Sequence, residues 1–355
     1  MEKGHGISVP QNAAEGTLLV LRRLKLIDSR FQIHRSAETI VIPILRKPSD
    51  QEMSELRECC QDVELREAIF KESSMRPRDL QEAILGQIPE DLIPKLPRSF
   101  DVIGDIALFE LPEELEKFSS IIGNAILGFN PRLRLVLRKA SDISGTYRTR
   151  KFEVIAGAGG TETVYREFSC SFRLDVASVY FSPRLSNERL RIAKQAAPGE
   201  TIVDMFAGAG PYSIIIAHLQ PRVKIYSIDV NPDAYRYLKE NILVNKVADR
   251  VVPILGDVRQ RGPEKLQGLA DRVIMNFPSA ARYFVDVTNK LLKQEGGIVH
   301  YYVFASRDQS LTEIQESFRA AVEARGRKVQ SFTFGKVIKE VAPSRVQVAI
   351  DAIVK

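Results

Sequence analysis

The chain has 355 residues, which is too long for one hydrophobic core and predicts two or three domains. Its 44% hydrophobic and 27% charged residues are typical of a soluble globular protein, and no apolar run is long enough to cross a bilayer. Three cysteines form neither a disulfide framework nor a metal-ligand spacing, so a cytoplasmic location is expected. The net charge of +6 favours a polyanionic partner.

The N-terminal segment, residues 1–86, is predicted to form a small domain. Leucines spaced among basic residues predict an amphipathic helix over 15–27, and short strands are expected at 31–34 and 39–44. The charged stretch 49–85 has a helical pattern. Two interpretations stay open for this domain: a small RNA-binding module, or a charged, solvated addition to the fold.

A proline-rich linker at 88–97 leads to a second domain, residues 98–176. A strand over 101–109, a helix over 111–128 and several later strands predict a mixed α+β domain. We interpret its basic side chains as a phosphate-facing surface, with a solvated charged face as the alternative. They are Arg132, Arg134, Arg138, Lys139, Arg148, Arg150 and Lys151.

The third segment, residues 177–355, is organised around a glycine-rich turn. Three apolar residues lead to Asp204, and Gly208 and Gly210 follow before an apolar helical run. This pattern is typical of a buried parallel strand, a tight loop and a helix start. Glycines at the turn allow positive φ and let a ligand lie against bare backbone. The helix N-terminus adds a positive pole.

Polar residues end four successive predicted strands in this segment. Asp204, Asp229, Asp257 and Asn276 each follow an apolar run, so they are expected to line one crevice of an open α/β sheet. A carboxylate about twenty residues beyond the glycines suits the hydroxyls of a ribose. Ser213 departs from the dinucleotide spacing, which disfavours a nicotinamide-dependent oxidoreductase. The ordered set resembles the class I S-adenosylmethionine-dependent methyltransferases.

Around this crevice, further elements complete a doubly wound sheet. A helix beginning near Glu188, with Ser186 or Asn187 as its N-cap, is predicted to precede the first strand. After Pro278, a helix is expected over 281–292, followed by a strand at 298–304 and a helix at 310–324. Two strands, at 329–334 and 346–353, are expected to end the sheet. No internal repeat is visible.

Four motifs identify a family resemblance that spans the chain: residues 145–150, 179–189, 204–211 and 276–278. Together they resemble the archaeal and eukaryotic tRNA (guanine-N1-)-methyltransferases that modify guanosine at position 37. This resemblance implies a Rossmann-like class I catalytic domain with two smaller α+β RNA-binding domains. Phe277 departs from the Asn-Leu-Pro usual in that family, which bears on how the base is seated.

The resemblance implies S-adenosyl-L-methionine as cofactor and tRNA as partner. The first domain would read the outer corner of the tRNA, and the other two would clamp its anticodon arm. The target base would have to leave its stack to meet the methyl donor. We expect a monomer with no membrane association and no metal, since in-line methyl transfer relies on proximity and orientation.

Catalytic roles follow from the resemblance. Glu188 matches the general base that removes the proton of guanine N1, and Arg148 matches the residue that stabilises charge on O6. Asn276 would offer its amide to a guanine edge, Pro278 would stiffen that turn, and Tyr180 would stack on the base. From the residues alone, Glu188 could be a carboxylate at a helix N-terminus and Tyr180 a core residue.

Other assignments concern the neighbouring basic side chain and the donor. Arg150 lies two positions from Arg148 on the same expected strand face, so either could contact O6, and both could contact phosphate. Asp229 would hold the ribose and Phe206 would pack the donor, while Asp257 with Val258 suits the adenine edge and Arg189 the methionyl carboxylate. The expected cofactor-binding set is Arg189, Asp204, Phe206, Gly208, Gly210, Asp229, Val230, Asp257, Val258 and Asn276.

Several alternative functions compete with this interpretation. A wybutosine-pathway enzyme that moves the aminocarboxypropyl group is expected to lack Glu188 together with the Asn276-x-Pro278 pair. Methylation of another guanosine or of a tricyclic intermediate at the same position stays open. A non-catalytic RNA-binding protein would show damage to the glycine loop, which is intact. C5-pyrimidine methylation needs a thiolate at a strand end, and none of the three cysteines is placed there.

Overall fold

The computed structural model divides the chain into two compact units. It describes residues 2–36, 38–72, 79–97, 99–141, 145 and 147–355, so Thr146 of the 145–150 motif lies outside the described part. The first unit comprises Met1–Ser99, Glu110–Arg132 and Ile155–Gly157, and the second comprises Phe100–Phe109, Leu133–Val154 and Ala158–Lys355. The three-segment division at 1–86, 98–176 and 177–355 cuts the chain differently and stays a prediction. No described helix is both long and apolar enough to span a membrane.

The first unit is built on a four-stranded antiparallel sheet with helices beside it. Its main elements are β1 (Glu2–Pro10), α1 (Ala14–Arg23), β2 (His34–Arg35), β3 (Thr39–Ile44), α2 (Asp50–Cys59), β4 (Glu64–Phe70), α3 (Leu80–Ile84) and α4 (Ser119–Phe129). The strand order is β2-β3-β1-β4. Ile7, Leu21, Ile42 and Leu56 are fully buried, so the apolar face of α1 and α2 covers this sheet.

The helical pattern expected over 49–85, with its interruption at Pro77, is wrong over residues 64–70. A capping box between Ser49 and Glu52 starts α2 as the pattern suggests, but residues 64–70 form the strand β4. β4 pairs antiparallel with β1, from Glu2↔Phe70 to Ser8↔Glu64. Backbone pairing with a distant segment overrides the local helical preference. The proposed linker is also packed, because Leu92 and Leu96 within and after a short 3₁₀ helix are buried.

Two small sheets open the second unit. Their strands are β5 (Asp101–Ile103), β6 (Ile106–Phe109), β7 (Leu135–Lys139), β8 (Phe152–Gly157), β9 (Glu162–Glu167) and β10 (Cys170–Asp175). The last three residues of β8 are assigned to the first unit. The single strand expected over 101–109 is broken at Gly104, which has φ +60°. A Cβ there would lie 2.1 Å from Thr163 Oγ1, so only glycine fits this turn.

The predicted doubly wound α/β sheet is confirmed in the second unit. Its elements are α5 (Ser186–Gln195), β11 (Thr201–Asp204), α6 (Pro211–Leu219), β12 (Lys224–Asp229), α7 (Pro232–Val244), β13 (Val251–Leu255), α8 (Val258–Leu266), β14 (Arg272–Met275), α9 (Val285–Leu291), β15 (Gly297–Ser306), α10 (Leu311–Glu323), β16 (Val329–Ala342) and β17 (Arg345–Val354). The order is β13-β12-β11-β14-β15-β17-β16, with β17 antiparallel to both neighbours.

The start of α5 differs from the prediction in its cap. The helix begins at Ser186, after a 3₁₀ turn over Pro183–Leu185, and Leu185 occupies the N-cap position without a side-chain hydrogen bond. Neither Ser186 nor Asn187 is therefore the cap, because the preceding 3₁₀ turn already satisfies the first backbone groups. Glu188 consequently lies in the first turn of α5 and is buried.

Two asparagines, Asn241 in α7 and Asn245 at its C-cap, bind the edge of β10. Asn241 Oδ1 accepts from Arg173 N at 2.7 Å, and its Nδ2 donates to Arg173 O and Ala209 O, both at 3.0 Å. Asn245 makes an equivalent pair with Ser171, at 2.8 and 2.7 Å. These amides satisfy backbone groups that no neighbouring strand reaches, so the β9–β10 hairpin is held against the large sheet domain.

We predict that Asn241→Ala lowers the free energy of unfolding of the second unit by about 2–4 kcal/mol, since three backbone groups lose their partners in a buried site. Asn245→Ala is the matched control: it removes similar bonds at a half-buried position and should cost about half as much. Denaturant titration followed by circular dichroism compares the two variants. Equal losses, or a loss below about 1 kcal/mol at Asn241, would contradict this role for the buried amide.

Candidate active site

An open cavity lies at the carboxyl ends of β11, β12, β13 and β14. Its volume is about 150 Å³, and all of its lining residues belong to the second unit. The sheet order reverses at β11, which has β12 on one side and β14 on the other. Helices following these two neighbours leave to opposite faces of the sheet, so a crevice forms between them. The predicted location of the site is therefore the place where the cavity is found.

The cavity brings together most of the residues expected from the sequence. Those that line it are Arg148, Tyr180, Arg189, Phe206, Gly208, Asp229, Val230, Asp257, Val258 and Asn276. Glu188, Asp204, Gly210 and Pro278 do not line it. The aromatic lining residues that sequence reasoning missed include Tyr212 and Phe284, since both lie in segments that read as ordinary apolar helix.

The glycine turn shapes the cavity wall at the end of β11. Gly208 has φ +56°, and a Cβ there would approach only Tyr180 O, at 3.8 Å, so the backbone is open towards the cavity. Gly210 has φ +89° and serves packing instead, because a Cβ would lie 2.5 Å from Leu238 Cδ1. Gly208 N donates to Asp229 Oδ2 at 2.7 Å, which ties the loop to the end of β12.

Asp229 and Asp257 lie at two neighbouring strand ends in different electrostatic states. Burial raises the pKa of Asp229, although backbone N–H groups of Asn231 and Gly208 oppose that rise. Asp257 caps α8 and accepts hydrogen bonds from the Arg259 guanidinium, which hold its pKa below the usual value. Asp229 retains acceptor sites on the cavity side, whereas the Asp257 carboxylate already has a cationic partner.

A cluster of aromatic rings forms the apolar part of the cavity. The ring centroids of Phe206 lie 5.0 Å from those of both Phe277 and Phe284. The Arg148 guanidinium lies 4.8 Å from the Tyr180 ring and 5.3 Å from the Phe277 ring, so it is held between two aromatic faces. Phe277, which looked like a minor departure in the sequence, therefore helps to orient Arg148.

Arg148 occupies an unusual backbone position. It has φ +54° in a turn, and its amide donates to Gly145 O at 3.2 Å, so the expectation that Arg148 and Arg150 share a strand face is wrong. A tight turn, rather than extended backbone, sets the direction of each side chain. Burial lowers the pKa of Arg148. Arg148 lines the cavity and Arg150 does not.

Other basic residues of the 132–151 run are bound within the fold. Arg134 donates to Asp105 and to the carbonyls of Gly160 and Glu162. Arg138 pairs with Glu153 at 2.6 Å. These contacts compensate part of the positive charge that the sequence concentrates there, so the surface is less basic than the composition of the run suggests.

Arg189 is buried, and all three of its guanidinium nitrogens donate hydrogen bonds. Its Nε and Nη2 donate to Glu167 at 2.5 and 2.8 Å, and its Nη1 donates to Ser182 O at 3.1 Å. A buried guanidinium with a two-point carboxylate partner has a fixed position. Arg189 therefore orders the Ser182 segment of the cavity wall. The sequence offered no signal for Glu167, which lies twenty-two positions earlier in β9.

Glu188 lies one layer behind the cavity wall. Its carboxylate accepts hydrogen bonds from Arg191 at 2.7 and 2.8 Å and from the Tyr302 hydroxyl at 2.7 Å. The Tyr302 ring packs against Tyr212, which lines the cavity, with ring centroids 6.1 Å apart. Within the described residues, the buried Tyr212 hydroxyl has no hydrogen-bond partner.

Asn276 and Pro278 flank Phe277 at the end of β14. Asn276 Oδ1 accepts from Gln347 Nε2 at 3.4 Å, and the carbonyl of Pro278 accepts from Phe304 N at 3.1 Å. The first contact is long for a hydrogen bond, while the second anchors the turn to β15. Asn276 thus faces the cavity on a turn that Pro278 fixes from behind.

The chemistry of the cavity fits a nucleoside-bearing cation. It combines bare glycine backbone, a carboxylate with open acceptor sites at Asp229 and a phenylalanine cluster. Among the described residues, no group of three or more His, Cys, Asp or Glu side chains could hold a metal ion. Arg148 and Asn276 are lining residues with hydrogen-bond donors that an organic ligand could accept from.

Comparison with known proteins gives matches along most of the chain. The family model for the TRM5/TYW2 methyltransferase domain matches residues 163–330, and that for the TYW2 N-terminal domain matches residues 80–161. The tRNA (guanine(37)-N(1))-methyltransferase Trm5b of Pyrococcus abyssi is 37% identical over 352 residues, covering 97% of each chain. Its crystal structure superposes with a TM-score of 0.70 over 99% of each chain.

Two further matches inform the choice of substrate. A structure described as the complex of aTrm5 and tRNALeu is 28% identical, covers 99% of each chain and has a TM-score of 0.68. The tRNA 4-demethylwyosine(37)-methyltransferase Taw21 of Saccharolobus solfataricus is 35% identical over 256 residues, covering 72% of this chain and 93% of that protein.

We predict that ionisation of the Asp204 carboxyl lowers the free energy of unfolding as the pH rises. Burial raises its pKa to about 7; Ser213 donates to Oδ2 at 2.9 Å, and Oδ1 has no partner within the described residues. A raised pKa gives stability that is complete below the unfolded value of 3.8 and is lost as pH rises through about 7. Asp204→Asn should therefore flatten the fall in unfolding free energy between pH 5 and 8, by about 2 kcal/mol.

The measurement is denaturant unfolding at several pH values in that window. Asp105→Asn is the matched control: although burial by itself raises its pKa, hydrogen bonds from Thr163 and Arg134 hold the pKa of Asp105 below its usual value. Asp105 therefore titrates outside the window and its variant should keep the wild-type slope. An unchanged slope for Asp204→Asn would show that Asp204 is ionised across this range.

Proposed function

Because the chain belongs to the TRM5/TYW2 methyltransferase family, we propose that it transfers the methyl group of S-adenosyl-L-methionine to N1 of guanosine at position 37 of tRNA. The observation that carries the proposal is a single cavity lined both by Asp229 and the glycine turn and by Arg148 and Asn276. Similarity to Trm5b of Pyrococcus abyssi over 97% of the chain supports the same reaction. The chain is thus an enzyme of the methyltransferase class.

The donor-binding half of the cavity consists of the strand ends of β11, β12 and β13. Asp229 accepts hydrogen bonds from the ribose hydroxyls, with Val230 beside it, and the backbone of Gly208 allows close approach. Phe206 packs the donor, while Asp257 with the Val258 amide receives the adenine edge. S-adenosyl-L-methionine supplies a methyl group on a sulfonium, which is electrophilic without a metal.

We assign three residues a supporting part in donor binding. Arg189 acts by ordering the Ser182 segment, because its donors are directed to Glu167 and Ser182 O. Asp204 and Gly210 stabilise the glycine turn and do not contact the donor, since neither lines the cavity. This refines the roles expected from the sequence, in which Arg189 reached the methionyl carboxylate directly.

Guanine N1 carries a proton and is a weak nucleophile until that proton leaves. We assign the removal of this proton to Glu188, whose carboxylate lies one layer behind the cavity wall in this structure. A general base contributes about 10²–10⁴-fold to the rate. As the proton leaves, negative charge spreads onto O6, and the Arg148 guanidinium stabilises it more as it grows. The aromatic faces of Tyr180 and Phe277 hold that guanidinium before the base arrives, which limits reorganisation.

Asn276 and Tyr180 position the target base. The Asn276 side chain presents its amide to a guanine edge from the turn that Pro278 anchors. The Tyr180 ring borders the same cavity and stacks on the everted base. Guanine differs from adenine at both N1 and O6, so these polar contacts also discriminate against adenosine.

We further propose how the tRNA is bound. The protein acts as a monomer in the cytoplasm, residues 1–86 contact the outer corner of the tRNA, and residues 98–176 with the catalytic segment 177–355 hold the anticodon arm. The net charge of +6 supports an RNA partner. The complex of the related aTrm5 with tRNALeu supports tRNA as that partner.

A second candidate is methylation of a tricyclic guanosine derivative at the same position. Similarity to Taw21 over 72% of the chain favours it, and Phe277 adds an aromatic face beside Phe206 on which a larger ring system could stack.

Aminocarboxypropyl transfer is disfavoured by the presence of Glu188 with Asn276 and Pro278. Methyl transfer would label the tRNA from methyl-labelled donor, whereas aminocarboxypropyl transfer would label it from carboxyl-labelled donor, so the two labels distinguish these reactions.

We predict that the protein labels a tRNA transcript with guanosine at position 37 and not the same transcript with adenosine there. The reason is that N1 of adenine carries no proton for a base to remove and the ring offers no O6. Incorporation of label from methyl-labelled S-adenosyl-L-methionine measures this. Equal labelling of both transcripts would overturn the proposed function, and a 4-demethylwyosine-containing tRNA tests the second candidate in the same assay.

We predict that Glu188→Gln lowers the single-turnover rate constant by about 100-fold or more, because an amide cannot take the N1 proton. Affinity for the donor should be unchanged, since Glu188 lies behind the cavity wall. Rapid quench with saturating donor and transcript measures the rate, and equilibrium titration measures the affinity. Glu316→Gln, which loses a similar arginine contact in α10, should keep the wild-type rate. A wild-type rate for Glu188→Gln would remove it as the base.

A further inference from the structure

The carboxylate of Glu188 is held from two elements of the fold. Arg191, one turn later in α5, donates from Nε to Oε2 at 2.8 Å and from Nη2 to Oε1 at 2.7 Å. Tyr302, in β15, donates its hydroxyl to Oε1 at 2.7 Å. Glu188 and Tyr302 are buried, so these contacts are protected from water. The plane of the carboxylate is thereby fixed.

Counting acceptor sites identifies the oxygen that is left to react. A carboxylate offers about four lone-pair sites, two on each oxygen. The two hydrogen bonds to Oε1 use both of its sites, whereas Oε2 accepts one. Oε2 therefore retains the open site for a further proton.

Arg191 is itself held in place. It donates from Nη2 to Asp351 Oδ1 at 3.0 Å and from Nη1 to Asp351 Oδ2, and it lies 3.7 Å from the Phe334 ring. Asp351 is further bound by His300 Nδ1 at 2.7 Å and by Gln195 Nε2 at 3.1 Å. His300 Nε2 accepts from Arg272, so its Nδ1 carries the hydrogen donated to Asp351.

We propose that Arg191 is a positioning residue that, backed by Asp351, fixes the Glu188 carboxylate so that Oε2 keeps the free acceptor site for the guanine N1 proton. This rests on the proposed function. In the step, the N1–H bond breaks, an O–H bond forms at Oε2, and the electron pair stays on N1. N1 then bonds to the methyl carbon as the carbon–sulfur bond of the donor breaks and its electron pair stays on sulfur. When Glu188 takes the proton and becomes neutral, Arg191 keeps its ion pair with Asp351. The step therefore leaves no partly buried cation without a partner.

A double-mutant cycle tests whether Arg191 acts through Glu188. Arg191→Gln should lower the single-turnover rate constant on the guanosine-37 transcript by about tenfold or more, with donor affinity within about twofold. In the Glu188→Gln background, the same change should cost less than about threefold, because the group that it positions is gone. Arg191→Lys, which keeps the charge but not the two-point contact, should give an intermediate rate.

Arg319→Gln is the matched control. Arg319 also pairs with a glutamate three residues earlier, Glu316, and lies 5.2 Å from the Phe332 ring, but its partners are Glu316, Glu323 and Val329 O rather than Glu188. Arg319→Gln should change the single-turnover rate constant by no more than about twofold, both in the wild-type protein and in the Glu188→Gln variant. Equal losses from Arg191→Gln with and without Glu188 would overturn the proposal, since additivity is expected of a residue that acts independently.

A second variant covers a failure of Arg191→Gln to fold. Tyr302→Phe removes only the hydroxyl that donates to Oε1 and should slow the wild type about threefold or more, while changing the Glu188→Gln rate little. Additive losses here would also overturn the positioning role. The two hypotheses fail differently: a wild-type protein that leaves the guanosine-37 transcript unlabelled refutes the proposed function, whereas labelling with additive losses refutes only the role of Arg191.

Discussion

The reversal of strand order at β11 is the constraint on which the site depends. β11 pairs in parallel with β12 on one side and β14 on the other, so the loops at their carboxyl ends diverge. The opening between them collects Asp229 from β12 and Asn276 from β14 within one cavity. A sheet without this reversal would send both helices to one face and close the crevice. In the proposed reaction, donor and base meet in this cavity because the topology leaves the edge open.

The two halves of the cavity use different physical means to hold their groups. On the donor side, backbone amides position Asp229, and the Gly208 amide reaches it at 2.7 Å. On the base side, aromatic faces hold the cation Arg148 without a carboxylate partner among the described residues. A guanidinium stacked in this way keeps its hydrogen-bond donors available for an anionic oxygen. The arrangement therefore suits stabilisation of charge that develops only during the reaction.

Behind the cavity, a chain of buried charges connects α5 with three strands of the sheet. It runs from Glu188 through Arg191 and Asp351 to His300, and Arg272 continues it to Glu200 at 2.8 Å. Arg191 lies between the carboxylates of Glu188 and Asp351, and the neutral His300 ring links Asp351 to Arg272. Removing a single member would leave a buried charge uncompensated, which costs more than the pair gains. The network accordingly fixes α5, and with it Glu188, relative to the sheet.

Local patterns in the sequence determined the α/β sheet, the glycine turn and the polar strand ends, because apolar runs and glycine spacing encode buried strands and tight loops directly. They failed at β4, where pairing with β1 outweighed a helical pattern, and at Arg148, where a turn replaced the expected strand. Only the tertiary structure revealed the Arg189–Glu167 pair and the hold of Arg191, Asp351 and Tyr302 on Glu188. Those partners lie between 3 and 163 positions away from one another along the chain, for example Arg191 and Asp351 at a separation of 160. Hydrogen bonds and ring contacts between distant segments leave no periodicity in sequence, so they are decided by packing alone.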